Sequence, residues 1–380
     1  MLQLYGNVHT RAVKHRSYMI DEIKKILADK QPSKAREIAR KLSVDTAKIN
    51  KILHANENYF SQNDNFEWSL CSRELVIEFS RAKWLTAARF EAALDSVESP
   101  LESDYPAVLF RFSQATKVLL EAAARLLSLC NQLIEAGKSV TIDFQERSIS
   151  SYLDRLGFYN LLHKSVKVLP RRPKISKAET HEGGSDSIVE VKRIDLAHRD
   201  ENIPHRLSEC VRQHVKDATT PVHTIVSELF SNIYEHSSSS IPGFAALQLY
   251  GRAAEPHVST VFSDSGTGII GSLLPTLPVG IKNELKRSGK DIGVALIEKI
   301  FAEGGLSRTQ EEGRGAGLYS AGTSAGKFKN GAVLIRQETF EVTIKFQNGE
   351  PVFSHRLGLR KLVGTQICVR FALTRRDDAR

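Results

Sequence analysis

The chain has 380 residues, 41% hydrophobic and 26% charged, the balance of an ordinary globular protein with material for two or three cores. Its formal net charge of +9 favours an anionic partner such as nucleotide or nucleic acid, without identifying one. The four cysteines stand singly, with no C-x-x-C pair and no histidine at metal spacing, which argues against a disulfide scaffold or structural zinc and for a reducing cytoplasm. No apolar run reaches the length of a membrane span, and the first residues lack the basic and apolar regions of a signal peptide.

Met19, Ile20, Ile23, Ile26 and Leu27 predict a first helix. Pro32-Ser33 opens a second, with Ser33 as its N-cap and Ala35, Ile38, Ala39 and Leu42 inward. After the turn Ser43-Val44-Asp45, a third helix turns Ile49, Ile52 and Leu53 inward and Lys48 and Lys51 outward. Residues 59–61 and 66–70, around the polar stretch 62–65, predict a hairpin. Over residues 1–72 this pattern resembles a winged helix-turn-helix. The resemblance implies that the third helix enters the DNA major groove, with Lys48, Asn50, Lys51 and His54 facing DNA. The alternative is a domain used for protein contact, its basic residues forming a solvated face.

Residues 73–104 read as a connector: a strand at 75–79, an Ala/Arg-rich helix to Leu94, then a polar, Pro-containing linker. Residues 105–178 alternate strand and helix, with strands at 107–112 and 140–144, a long amphipathic helix at 116–135 and a helix at 150–162. This module resembles the STAS fold of anti-sigma-factor antagonists. In that fold a serine phosphorylated by a GHKL kinase sits at the strand-to-helix junction, which here is Gln145-Glu146-Arg147-Ser148-Ile149-Ser150-Ser151. The family's Asp-Ser-x-Gly-Leu is absent and Gly157 comes late. The reading is therefore a structural or partner-docking module, with Ser150 or Ser151 capping the helix. The basic, Pro-rich run 166–177 and the small polar run 182–186 mark a domain boundary, read as a solvated linker.

A strand at 188–194 and a helix at 203–214, with Leu207, Cys210 and Val211 inward, lead into a helix on which Glu228, Asn232 and His236 stand at i, i+4 and i+8. Val222, Ile225, Val226, Leu229, Phe230 and Ile233 form its buried stripe. A carboxylate can orient or deprotonate a water, and an amide oxygen can ligate Mg²⁺. Strands follow at 245–250 and 257–263. Then come Asp264-Ser265-Gly266-Thr267-Gly268-Ile269, Gly313-Arg314-Gly315-Ala316-Gly317-Leu318 and, after strands at 333–336 and 341–346, Gly364-Thr365 before a last strand at 366–373. Two decoys are set aside. Gly266 to Gly271 matches the dinucleotide G-x-G-x-x-G, but a Pro-rich run follows where that motif needs a long helix. Gly322 to Lys327 is one residue short of a P-loop and has no Ser/Thr after the lysine.

In this order the set resembles the GHKL nucleotide-binding superfamily over residues 190–375. The superfamily includes the gyrase and MutL ATPases, histidine kinases and the anti-sigma serine kinases, and the likeness is strongest to the last. The resemblance implies a Bergerat-type α/β sandwich over residues 179–380 that binds ATP and Mg²⁺. Glu228 would be the water-activating carboxylate, Asn232 the Mg²⁺ ligand, and His236 a polar position of the anti-sigma branch. Asp264 would accept from the adenine amine, with Gly266 and Gly268 admitting the base. Gly313, Gly315, Gly317 and Leu318 would cradle phosphates at a helix start, and Thr365 would lie near the nucleotide. Residues 270–312 would form the ATP lid, carrying Lys282, Lys286, Arg287, Lys290 and Arg308.

The whole chain is thus expected to be an α/β (α+β) multidomain protein. Its implied function is that of a Mg²⁺-dependent ATPase, bacterial, regulatory or defensive, that couples nucleotide state to DNA or a partner protein, with lid closure changing domain contacts, or subunit contacts in a homodimer. Two alternatives stay open: an anti-sigma-type serine/threonine kinase, and a non-catalytic regulator switched by nucleotide. A sensor histidine kinase is disfavoured, because no H-E-x-x-x-P helix precedes the ATP domain.

Overall fold

The computed structural model describes residues 19–28, 32–57, 59–70, 74–79, 84–113, 116–214, 219–236, 239–253, 255–303, 317–325, 331–347 and 350–373. It is a mixed α/β protein whose chain gathers into two units. One comprises residues up to Leu75 with Asp104–Val108, the other Val76–Ser103 with Leu109 onward. No helix among the described residues is long and apolar enough to cross a membrane.

In the first unit, helix α1 (residues 19–28) is followed by strand β1 (Ser33–Lys34) and helices α2 (Ala35–Leu42) and α3 (Thr46–His54). Strands β2 (Phe60–Gln62) and β3 (Glu67–Leu70) complete it, in a sheet of order β1-β3-β2. Met19, Ile23 and Leu27, one helical face, close over Ile38, Ile49, Leu53, Phe60 and Trp68. Ser43, left-handed at φ 54, ends α2, and the Asp45 carboxylate accepts from the Ala47 N–H at 3.3 Å to start α3. Ser33 does not cap α2 as expected. It pairs with Trp68 in the sheet, and the helix begins after Lys34, whose N–H donates to Glu37. On α3, Lys48, Lys51 and His54 are exposed and Asn50 is half-buried. The His54 ring stands edge-on to Trp68, with centroids 4.8 Å apart.

The chain continues through β4 (Glu74–Phe79), β5 (Trp84–Leu85), α4 (Ala87–Asp95), β6 (Ala107–Phe112), β7 (Lys117–Val118) and α5 (Leu120–Glu135), of which all but Glu74, Leu75, Ala107 and Val108 belong to the second unit. It continues through β8 (Ser139–Phe144), α6 (Arg147–Leu156), α7 (Phe158–Leu161), β9 (Lys167–Leu169) and α8 (Lys177–Thr180). A four-stranded sheet runs β4-β6-β8-β9, with β8 and β9 parallel. Residues 73–104 are therefore more than a connector. They supply an edge strand and a helix, and Phe79 stacks on Phe90 at 5.4 Å and meets Phe112 at a tilt, 4.6 Å away. The run 166–177 is likewise built in: β9 pairs with β8, and Arg172 donates to the carbonyls of Leu162 and His163. Ser150 and Ser151 fall inside α6 and do not cap it. Ser150 Oγ lies 2.8 Å from the Tyr159 hydroxyl, and Ser151 Oγ accepts from Lys177 Nζ at 2.7 Å.

The chain then forms β10 (Ile188–Ile194), α9 (Asn202–His214), α10 (Thr219–His236), β11 (Gly243–Tyr250) and β12 (His257–Ser263). Next are α11 (Gly268–Leu273), a 3-10 turn (Leu274–Thr276), α12 (Val279–Arg287), α13 (Ile292–Glu303) and α14 (Gly317–Ala325). Strands β13 (Ala332–Glu338), β14 (Phe340–Gln347), β15 (Glu350–Arg356) and β16 (Leu362–Ala372) finish it. Seven antiparallel strands run β10-β11-β12-β16-β13-β14-β15. The edge strand β15 has no counterpart in the sequence reading. Successive strand residues face opposite ways. Val258 and Phe262 of β12, with Ile367, Val369 and Phe371 of β16, pack in one core with Leu207, Ile225, Leu229, Ile297 and Leu318 from α9, α10, α13 and α14. The alternate residues face α5. Covered on both sides, β12 and β16 are buried almost throughout.

Helix α5, expected to be amphipathic, has almost no wet face, and its polar side chains turn inward. Glu121, Arg125, Ser128 and Gln132 recur at i, i+4, i+7 and i+11 along one stripe, and all four are buried. Each meets the seven-stranded sheet or the turns at its strand ends. Glu121 accepts from Arg370 at 2.5 Å, Arg125 pairs with Glu341, Ser128 and Ser263 hydroxyls lie 2.9 Å apart, and Gln132 bonds Ser265 and Val363. Arg125 also pairs with Glu91 of α4 at 2.5 Å, and Glu91 in turn binds Arg336 of β13 at 3.0 Å. Burial would lower the Arg125 pKa, but Glu91 and Glu341 hold it above its ordinary value. An Arg125→Met substitution strands the Glu341 carboxylate beneath the sheet. It should lower unfolding stability by about 3 kcal/mol, read from the urea midpoint by circular dichroism. An unchanged midpoint would show that the network contributes nothing.

Candidate functional site

Strand β12 ends at Ser263, and the chain turns at Asp264. The Asp264 N–H donates to the Thr365 carbonyl at 2.9 Å, and its Oδ1 accepts from the Gly266 N–H at 2.8 Å. Gly364, at φ +83, makes this closeness possible, since a Cβ there would lie 2.2 Å from the Asp264 carbonyl oxygen. Gly268, at φ +68, starts α11, where a Cβ would lie 2.2 Å from the end of the Gln337 side-chain amide and 3.2 Å from Thr365 Oγ1. Thr365 Oγ1 accepts from the Ile269 N–H at 3.2 Å. The Gln337 amide, with its oxygen toward the turn, accepts from the N–H groups of Ile269 and Ile270 at 3.0 and 2.9 Å.

Burial raises the Asp264 carboxyl from its ordinary 3.8 to about 6, against the pull of the backbone N–H groups of Gly266 and Thr365. Such a carboxylate is a strong acceptor in a poorly solvated corner, and it lacks a cation to neutralise it among the causes that set its pKa.

Helix α10 forms because its apolar residues fall on one face: Val222, Ile225, Val226, Leu229, Phe230 and Ile233 are all buried. Glu228 and Asn232 lie at the margin of that face, half-buried. The Asn232 Nδ2 is buried and has no hydrogen-bond partner among the described residues. The next residue, Ile233, abuts the Asp264 corner. A Cβ on Gly243 would lie 2.5 Å from Ile233 Cγ2 and 3.9 Å from Asp264 Cβ. Helix α14 packs along α10, and Leu318 enters the shared core.

The structure therefore brings Asp264, Gly266, Gly268 and Thr365 into one corner, with α10 beside it and Gly317 and Leu318 at the start of α14. His236 is the last residue of α10. Gly313, Gly315 and Arg308 lie outside the described residues. The stretch expected as a lid is largely built into the fold. Val294, Leu296, Ile297 and Ile300 of α13 are buried in the main core. Lys282 donates to the Pro275 carbonyl at 2.9 Å, and Lys290 pairs with Glu298 at 2.5 Å, while Lys286 and Arg287 are exposed. Both decoys lack their context. Gly266 to Gly271 leads from an antiparallel strand into a six-residue helix, and Gly322 lies within α14.

Two residues of the corner escaped the sequence reading. Gln337 had a faint signal, a polar pair with Arg336 closing an apolar strand. Gln132 had one only in the i, i+4, i+7, i+11 polar stripe of α5. No protein-family model matches this sequence, and no curated protein matches it.

The raised Asp264 pKa carries a stability consequence. The folded state prefers the neutral acid, so the cost is absent below about pH 4, grows between 3.8 and about 6, and is complete above. A shift of this size is worth about 3 kcal/mol. Asp264→Asn should therefore be more stable than the wild type at pH 8, by up to that amount, and equal to it at pH 4 in paired thermal melts. A difference independent of pH would remove the assignment.

Proposed function

We propose that this protein binds ATP with Mg²⁺ through a GHKL-type, Bergerat-like domain over residues 179–380 and hydrolyses it. The Asp264 corner carries the reading. A buried carboxylate stands free of any neutralising cation among the described residues, between two glycines whose side-chain space is taken by backbone, Thr365 and Gln337. Such a corner suits a flat base that offers a hydrogen-bond donor, as the exocyclic amine of adenine does.

The remaining residues fit the rest of the nucleotide. The orphaned Asn232 amide suits an anionic oxygen or, turned over, presents its own oxygen to a hard cation. Mg²⁺ is usually held by one or two protein groups together with substrate phosphates, so a single amide on α10 is an adequate protein share. When bound it supplies charge neutralisation at the phosphate oxygens. Glu228, one turn before Asn232, would orient the attacking water and take its proton. Gly317 and Leu318, with Gly313 and Gly315 before them, would offer N–H groups to phosphate at the start of α14.

In isothermal titration calorimetry, the wild type should bind ATP and Asp264→Ala should not. Asn232→Ala should lose the Mg²⁺ dependence, and Glu228→Ala should bind ATP but release no phosphate. With γ-³²P-ATP, free phosphate marks the ATPase, labelled protein the anti-sigma-type kinase, and neither a nucleotide-switched regulator. No heat with any adenine nucleotide ends the reading.

The same proposal takes the first unit as a winged helix that binds DNA, supported by the exposed Lys48 and Lys51 with Asn50 on α3. His54, seated against Trp68, would contribute less. The four-stranded module, STAS-like in this reading, would dock a partner protein. Lys48→Ala with Lys51→Ala should weaken DNA binding at all sequences and reduce the salt slope by about 2. Fluorescence anisotropy at several salt concentrations measures it, and an unchanged slope would point to protein contact instead.

A further inference from the structure

Gln132 ends the polar stripe of α5, and none of the roles assigned above uses it. It is buried, at 4% exposure. Its Oε1 accepts from the Val363 N–H at 3.0 Å, and its Nε2 donates to the Val363 carbonyl at 2.8 Å and to Ser265 Oγ at 2.9 Å. Val363 directly precedes Gly364 and Thr365. Ser265 directly follows Asp264. One side chain thus grips both backbone segments that form the corner, on the sheet face away from α10. Its acceptor and both its amide hydrogens are occupied.

The grip is anchored. Earlier along the same helix, Glu121, Arg125 and Ser128 fasten α5 to β16, β14 and β12. Gln132 therefore transmits the position of α5 to the relative placement of Asp264 and Thr365. Hydrogen bonds weaken steeply with misalignment, so the Asp264 carboxylate selects a base only if that placement is held. We propose that Gln132 is a positioning residue for the base corner: it sets the choice of adenine over other bases and makes the four-stranded module part of nucleotide recognition. The inference rests on the nucleotide reading above.

Groups meeting the phosphates would come from α10 and α14, across the sheet from Gln132. Loss of Gln132 should therefore separate base recognition from phosphate binding. A general loss of folding would not. Leucine removes the amide at similar volume. The test titrates full-length wild type, Gln132→Leu, Ser265→Ala and Tyr250→Phe with ATP, GTP and Mg²⁺-tripolyphosphate by calorimetry. Tyr250 accepts from the Leu120 N–H at the far end of α5, so its variant controls for a disturbed helix.

Gln132→Leu should lose about tenfold in ATP affinity while GTP and tripolyphosphate hold within about twofold, lowering the ATP/GTP ratio about tenfold. Ser265→Ala, which cuts one of the three bonds, should lower the ratio by about threefold. Tyr250→Phe should keep it. An unchanged ratio in both Gln132→Leu and Ser265→Ala, or a parallel loss for all three ligands, overturns the inference while leaving the nucleotide reading intact. A wild type that binds none of the three overturns both.

Discussion

A largely buried helix, α5, with four polar side chains on one stripe constrains everything around it. Charges cannot be left unmatched in a low-dielectric interior without a cost of several kcal/mol each. Glu121, Arg125, Ser128 and Gln132 must therefore each find a partner at once, and only one sliding position of α5 over the seven-stranded sheet achieves this. Apolar packing alone would tolerate a shift by a turn. The ion pairs of Arg125 and Glu121 forbid it. The stripe thus acts more on placement than on gross stability, and it fixes where the strand ends of β12 and β16 meet.

The site shows the opposite economy. Local rules fail there together: among the described residues a carboxyl is buried without a cation, an amide nitrogen on Asn232 lacks an acceptor, and two glycines hold left-handed conformations where any side chain would collide. Each weakens the folded protein, the buried carboxylate most at neutral pH. In the proposed reading, the nucleotide supplies the missing partners. The surrounding core, continuous from α9 to β16, tolerates these local losses.

Much of this was legible in the sequence because it follows from period. The 3.6-residue stripe of α10 and the apolar run of β12 put Glu228 and Asn232 on a helix and Asp264 at a strand end, while Thr365, read as preceding the last strand, lies inside β16. What stayed hidden depends on pairing between distant segments. The polar residues of α5 read as a wet face because nothing local reveals a second sheet above them. Edge strand β15 carries a proline and little apolar alternation. Residues 270–312 read as a lid because the resemblance puts one between the two glycine boxes and the stretch carries cations, yet α13 is apolar enough to be drawn into the core. Ser33 suited a cap by residue type, and strand pairing with Trp68 took it instead.

Arg336 and Gln337 are neighbours on β13 that serve opposite sides of the sheet. The guanidinium meets Glu91 beneath α4, and the amide meets the turn at Gly268. A register shift follows at once, with Glu338 at φ 46. Strand pleating makes this arrangement brittle. Deleting one residue upstream would move the Gln337 amide into the place among the carboxylates and thrust the Arg336 guanidinium into the buried Ile335 position of the main core. The length of β13 between its start and this bulge is therefore as tightly constrained as the identity of any side chain it carries.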